Sequence, residues 1–300
     1  MPLNNRAKGI LLAVAAALLW GVSSAVTQHL FRFYGLEPEW LVTVRLLAAG
    51  ALLAGQAYIV EKRGIFRIFS SPRSVFDLIV FSLFGLIFMQ YAFYLAIDFS
   101  NAATATILQY VFPALIVLYA ALRNGKLPGA LETALVVLAF AGIFFIATHG
   151  DFTSLALSPA ALATGLASAV GLAVYTLQPR RLLKERGMTA TVGWGMLLAG
   201  VLFSFIHPPW KLSAEWTLAF AFSLVIVIVC GTYLAFAFYT LSLKYISPVE
   251  ASVLCSVEPL CVIALSVVWL DVRFVWADWL GAAAIITTVA VLSAVKEKPE

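Results

Sequence analysis

The chain has 300 residues, of which 63% are hydrophobic and 11% charged, with a net charge of +4. Soluble domains carry about 25% charged residues, and a water-soluble core of this length has no room for so much apolar surface. These values exclude a soluble enzyme and a nucleic-acid-binding domain, and they describe a polytopic membrane protein. Three cysteines, Cys230, Cys255 and Cys261, fall in apolar stretches with no CxxC spacing and read as small buried hydrophobes.

A membrane span needs about 20 apolar residues. Ten segments qualify in chain order: 9–29, 39–60, 75–97, 101–122, 129–148, 156–178, 189–206, 217–243, 247–269 and 274–295. The first follows MPLNNRAKG, which carries no cleavage pattern, so it reads as a span and not as a leader. Hydrocarbon offers no partner for free backbone groups, and no strand alternation is visible, so the spans are helices. The predicted fold is an all-α polytopic membrane protein of ten helices. The longest connection, EKRGIFRIFSSPRS over 61–74, reads as an interfacial loop.

Lysine and arginine placement orients the spans. With the N-terminus inside, the inner segments hold Arg6 and Lys8; Lys62, Arg63, Arg67 and Arg73; Arg123 and Lys126; Arg180, Arg181, Lys184 and Arg186; Lys244; and Lys296 and Lys298. The outer loops hold Arg32, Lys211 and Arg273. This 15 to 3 split predicts both termini in the cytoplasm.

The chain repeats itself. AFYLAIDFSNAATATILQYVFPAL, from Ala92, aligns with AFYTLSLKYISPVEASVLCSVEPL, from Ala237, with one inserted residue. Ala105 then matches Ala251, Leu108 matches Leu254, Val111 matches Val257 and Pro113 matches Pro259, while Phe112 stands where the second copy has Glu258. A weaker match pairs LLWGVSSAV with GLAVYTLQP. The expected division is 1–150 and 151–300, five helices each. Five is odd, so the second copy enters the membrane inverted, as in secondary transporters. Pro113 and Pro259 each lie 12 residues past their segment starts, about 18 Å into a ~30 Å core. Neither can donate to the carbonyl four residues back, at Gln109 or Cys255. Corresponding interrupted helices point to a substrate site and its hinges. The plainer reading of either proline alone is a packing kink.

These residues resemble the drug/metabolite transporter superfamily, in its ten-helix EamA-type branch. The carriers are LLWGVSSAV, Arg45 in RLLAAGALL, AATATILQYVFPAL, and PVEASVLCSVEPL followed by VWLD. The likeness covers essentially the whole chain as two EamA-like repeats. It departs at the end of the ninth segment, where Asp271 stands in place of the family's frequent glutamate, and at the loosely matching Gly125 of the first repeat. The resemblance implies a central cavity lined by helices 1, 3, 4, 6, 8 and 9. It also implies a bacterial inner-membrane location, frequent export, and substrates ranging from amino acids to amines, purines and drugs.

Glu258 is the sharpest single candidate. A carboxylate at the bilayer centre costs roughly 2.5–3.5 kcal/mol on insertion scales, so it faces a cavity or a partner. It either carries a proton or meets a substrate amine, or it serves the freed backbone. Arg45, six residues into the second segment, reads as structural, by snorkelling, capping or pairing. Glu250 reads as a first-turn carboxylate favoured by the helix dipole. Trp20, Tyr91, Tyr94, Tyr175, Tyr233 and Tyr239 are candidate cavity aromatics, with Tyr110 beside them, because a tyrosine hydroxyl in the core needs a partner. Gln90, Gln109 and Gln178 add amides, and Asn101, Ala105 and Gln109 share one helix face. Trp40, Trp210, Trp216, Trp276 and Trp279 read as interfacial anchors. His29, His149 and His207 read as interfacial surface residues, and Gly165, Ala169 and Ala173 as a ridge for close helix packing.

The expected function is transport of a small organic metabolite, an amino acid or related amphiphile, with export the expected direction. An organic cation or amine carrier with Glu258 as counter-ion is the alternative. No HExxH, GxSxG or Walker A sequence marks an enzyme or an ATP-driven pump, and no selectivity filter marks a channel. The expected partners are a small-molecule substrate and the lipid bilayer, with no nucleic acid, no metal and no cofactor. A monomer holds both halves of the cavity and suffices, and a dimer is compatible with it.

Overall fold

The computed structural model describes residues 5–151 and 153–295, and every regular element among them is helical. The ten main helices are α1 (Asn5–Tyr34), α2 (Pro38–Glu61), α3 (Pro72–Phe99), α4 (Ala102–Asn124), α5 (Ala130–Thr148), α6 (Pro159–Leu177), α7 (Met188–Ser204), α8 (Leu218–Ser242), α9 in two pieces (Pro248–Cys255 and Val257–Val268) and α10 (Trp276–Val295). Nine of these are long and apolar enough to span a membrane; α7, at 17 residues, is shorter. The connection read as an interfacial loop over 61–74 contains a 3-10 helix, Lys62–Phe69. A short helix, Arg180–Arg186, precedes α7.

Helix starts follow local chemistry. Ser71, Ser158 and Ser247 each cap a first turn and are each followed by proline. The side-chain oxygen takes an orphan N–H, and proline has none to waste. Asn101 caps α4 by accepting from Thr104 N at 2.9 Å. It is therefore engaged at the helix start, and Ala105 is fully buried, so the polar stripe expected on α4 reduces to Gln109.

The irregularities recur between halves. α4 breaks at Tyr110 and Val111, and α9 at Ser256, each just before the repeat's proline. A π-helical segment interrupts α3 at Phe81–Ile87 and α8 at Ile226–Leu234. Nothing in the apolar pattern announces these segments, because they register in backbone bonding and not in hydropathy.

Packing crosses the halves. α1 lies along α8 and α9, while α6 lies along α3 and α4. α2 pairs with α7, and α5 with α10. Lipid tails are as apolar as leucine, so such helices associate through close contact and small residues. The expected ridge on α6 behaves this way: a Cβ on Gly165 would lie 2.5 Å from Leu108 of α4. At the α5–α10 crossing the contact is reciprocal. A Cβ on Gly142 would lie 2.9 Å from the Gly281 carbonyl oxygen, and one on Gly281 would lie 2.7 Å from that of Gly142.

The two ends of the bundle differ. The basic end carries the predicted inner arginines and lysines; Lys296 and Lys298 lie outside the described residues. At the other end the helices are tied together. Arg32 donates to the Leu270 carbonyl at 3.0 Å, Trp40 to that of Pro209 at 2.9 Å, and Ala102 N to the Gln28 side chain at 2.8 Å. The histidines belong to this closure: His149 is exposed, as its surface reading expects, while His29 and His207 are partly buried. His29 stacks on Trp269 at 5.1 Å, His149 pairs with Asp278 at 3.2 Å and His207 with Glu37 at 2.8 Å. Trp40 is buried, so it is no interfacial anchor, whereas Trp210, Trp216, Trp276 and Trp279 are exposed.

The α5–α10 crossing yields a prediction. Gly281→Leu lowers stability by about 1–3 kcal/mol or more, since overpacking forces the backbones apart. Gly55→Leu, where a Cβ meets nothing within 4 Å, changes it by about 0.5 kcal/mol or less. Thermal unfolding of the purified variants in detergent measures both.

Candidate functional site

A cavity of about 640 Å³ lies between the halves. Its wall draws on the six helices named by the family resemblance and also on α2, α7 and α10. It runs to the basic end, where exposed Arg180 and Pro248 help to line it. Toward the tied end its lining stops at Thr27, Arg45 and Tyr94.

The helix breaks sit in this wall. Pro259 has no N–H for the carbonyl of Cys255, and the hydroxyl of Tyr110, from the other half, reaches that carbonyl at 3.1 Å. The same hydroxyl lies 2.8 Å from Oε2 of Glu258. One proton cannot serve both acceptors fully. When the carboxyl is ionised, Tyr110 donates to it. When the carboxyl is protonated, its own O–H donates to the tyrosine oxygen, and the tyrosine proton turns to the carbonyl. The carboxylate therefore bears directly on how well the α9 break is bonded.

Aromatic rings build much of the remaining wall. Trp20 meets Phe236 edge-on at 5.6 Å and Tyr239 at 5.8 Å. Repeat positions face the same space in pairs: Tyr94 with Tyr239, Gln109 with Cys255, and Phe112 with Glu258. Met89, Met188 and Met196 add flexible, polarisable thioethers. Two polar groups are left over in the wall. Thr27 Oγ1 and Gln90 Oε1 are buried without a hydrogen-bond partner among the described residues. An unmade bond of this kind costs about 1–3 kcal/mol, which a polar ligand or ordered water would offset.

Arg45 also lines the cavity. Its Nε donates to Thr232 Oγ1 at 2.7 Å, and its Nη1 donates to the Tyr94 hydroxyl. Thr232 belongs to the π-helical segment of α8 and itself donates to the Val227 carbonyl five residues back. The irregular backbone and the arginine are thus joined. Arg45 does not snorkel, and no carboxylate among the described residues lies within ion-pair distance of it.

The cavity gathers Trp20, Tyr94, Gln109, Tyr175, Tyr239, Glu258 and Pro113 from the sequence candidates. Tyr91 stands elsewhere: its hydroxyl donates to Glu39 at 2.6 Å and its ring packs on Phe203. Tyr233 packs against the hydrophobic core. Pro259 is buried behind the wall. Gln178 donates to the Asp77 carbonyl at the basic end, and Glu250 pairs with Arg6 at 2.7 Å. Sequence reasoning set Tyr110 beside the cavity aromatics without seeing its part at the helix break, and it read Arg45 as structural and not as a wall residue. For Tyr110 the signal was present: a tyrosine three residues before the repeated proline sits at the break and needs a partner.

Two crossed five-helix repeats around a cavity at paired helix breaks define a membrane carrier of the inverted-repeat class. The sequence pattern of the EamA-like transporter family matches residues 7–148 and again 159–294, and the chain belongs to that family. It is 34% identical over 293 residues to an uncharacterised inner membrane transporter, YicL, of Salmonella typhimurium, covering 97% of each chain. A solved crystal structure shares the fold with a TM-score of 0.62 at 20% identity, over 96% of this chain and 98% of the other.

The bridge is open to test. Tyr110→Phe removes a partner from a buried carbonyl and from a carboxylate, and lowers stability by about 1–3 kcal/mol. Thermal unfolding of the ligand-free protein reads the loss.

Proposed function

We propose that the chain is a secondary transporter that moves a small organic amphiphile, an amino acid or a related metabolite, across the cytoplasmic membrane by alternating access. The observation that carries this reading is the position of the cavity. It lies at both helix breaks, is walled by both repeats and, among the described residues, its lining reaches one end of the bundle. With the lysine and arginine bias placing that end in the cytoplasm, and both termini with it, the conformation described is inward-facing. Export is the direction we assign, following the family resemblance. Opening the other side requires parting the ties at Arg32, Trp40 and Gln28. One chain contains the whole cavity, so a monomer is the proposed unit, and its work is transport and not catalysis.

The wall residues suit such a cargo. Aromatic faces and thioethers accept an apolar side chain, while Gln109 and Glu258 accept polar hydrogens. A second reading, an organic cation carrier, draws on one feature: Glu258 stands in a wall shared with Trp20, Tyr110 and Tyr239, and a carboxylate among aromatic faces suits an ammonium.

Exchange assays in proteoliposomes separate the readings. The expected result is saturable exchange of one or more amino acids, reduced about tenfold or more by Trp20→Ala and by Glu258→Gln. Exchange of choline but of no amino acid selects the second reading. Flux unchanged by Glu258→Gln at every pH returns the carboxylate to a purely structural role. Absence of substrate-dependent flux across amino acids, amines, nucleobases and sugars would defeat transport of these classes altogether.

A further inference from the structure

We infer that Arg45 and Glu258 are the two poles of one binding site, and that the site selects a substrate carrying a carboxylate and an ammonium together. This inference rests on the transport reading above and narrows it to one chemical class.

Both charges line the same cavity. Arg45 lies about 10 Å along α2 from its start, and Glu258 about 15 Å along α9 from the opposite end. In a ~30 Å core both therefore stand near the middle, a few ångströms apart in depth. The two form no ion pair among the described residues, because each is held by other groups. Arg45 is fixed by Thr232 and by the Tyr94 hydroxyl, with the Tyr94 ring beneath its guanidinium carbon at 5.5 Å. Glu258 is fixed by Tyr110.

Each pole keeps spare bonding capacity. A guanidinium has five N–H donors in a planar fork that matches a carboxylate. In Arg45, Nη2 has no protein partner among the described residues. On Glu258 the Tyr110 bond engages Oε2 and leaves Oε1 for a donor. The leftover polar groups complete the site. The unpartnered Thr27 hydroxyl and Gln90 oxygen are both nine-tenths or more buried in this wall. Gln90 stands one helical turn before Tyr94, which puts its amide on the face that carries the Arg45 anchor.

Two opposite charges held apart in a low-dielectric wall gain most from a ligand that is itself a dipole. A simple amine satisfies Glu258 and leaves Arg45 without a counter-charge. A simple acid does the reverse and leaves Glu258 alone. An α-amino acid serves both at once, and its side chain then falls among Trp20, Phe236 and the methionines. The amine carrier is thereby disfavoured on the same grounds that favour the zwitterion.

The test uses three matched sets and the purified full-length protein. The sets are phenylalanine, phenethylamine and 3-phenylpropionate; leucine, isoamylamine and 4-methylpentanoate; and methionine, 3-(methylthio)propylamine and 4-(methylthio)butanoate. Binding is read as thermal stabilisation against ligand concentration. In at least one set the amino acid is expected to bind about tenfold or more tighter than both its amine and its acid. Arg45→Met brings that amino acid down to its amine while the amine holds its affinity. Glu258→Gln brings it down to its acid. Should either variant fail to fold, the wild-type series decides alone, since it needs no substitution. An amine equal to or better than its amino acid in every set overturns the inference, as does a zwitterion preference that survives Arg45→Met. Transport of choline or a nucleobase with no amino acid binding also overturns it and leaves the transport reading standing. No exchange of any compound in proteoliposomes removes both.

Discussion

Pro259 denies the Cys255 carbonyl its usual helical donor four residues on, in the wall of the central cavity. That debt is met by the hydroxyl of Tyr110, which comes from the other repeat and lies 3.1 Å away. Much of the molecule's arrangement turns on this meeting. It holds the two broken helices against each other at mid-depth, and it brings Glu258 within 2.8 Å of the same hydroxyl. A backbone defect, a cross-repeat contact and an ionisable group thus share one atom. Whatever changes the carboxylate changes the support of the break.

Symmetry supplies the scaffold, and departures from it supply the chemistry. α1 lies on α8 and α9 as α6 lies on α3 and α4, and the π-helical segments fall in matching helices. Tyr94 and Tyr239 face the cavity from equivalent places. Phe112 and Glu258 are also equivalent, and there the halves part: one offers a ring and the other a carboxylate. Arg45 adds a positive pole from α2. Two halves of like fold suit a motion that exchanges their roles, and unlike residues at matching positions give the site an orientation.

The closure is equally uneven. At the basic end the cavity meets exposed Arg180 and Pro248. At the far end, arginine, tryptophan and glutamine side chains reach backbone groups of neighbouring helices, and the three histidines stack or pair across helix contacts. Each tie is a single hydrogen bond or ion pair, of the order of 1 kcal/mol net, small enough for a conformational change to break several together. The α5–α10 crossing is of another kind. Its two glycines meet backbone to backbone, a contact suited to holding while other parts move.

The sequence by itself determined the class of the molecule. Apolar runs of span length, basic residues biased to one side and a repeated proline motif required an all-helical, ten-segment chain in two like halves, because hydrocarbon satisfies no backbone group. The ends of the apolar runs fall within a few positions of most helix ends. It also marked Glu258, since a carboxylate in an apolar run has few bland explanations. Tertiary structure alone decided which side chains meet. Tyr91 and Tyr233 share their helices with Tyr94 and Tyr239, yet they face a glutamate and the core, because a helix face is assigned by its neighbours and not by its residues. From sequence Arg45 is a structural cation that snorkels, caps or pairs; α8 places Thr232 beside it through a π-helical turn that hydropathy does not record. Periodicity registers what must leave water; the partner of each polar group depends on contacts made far apart in the chain.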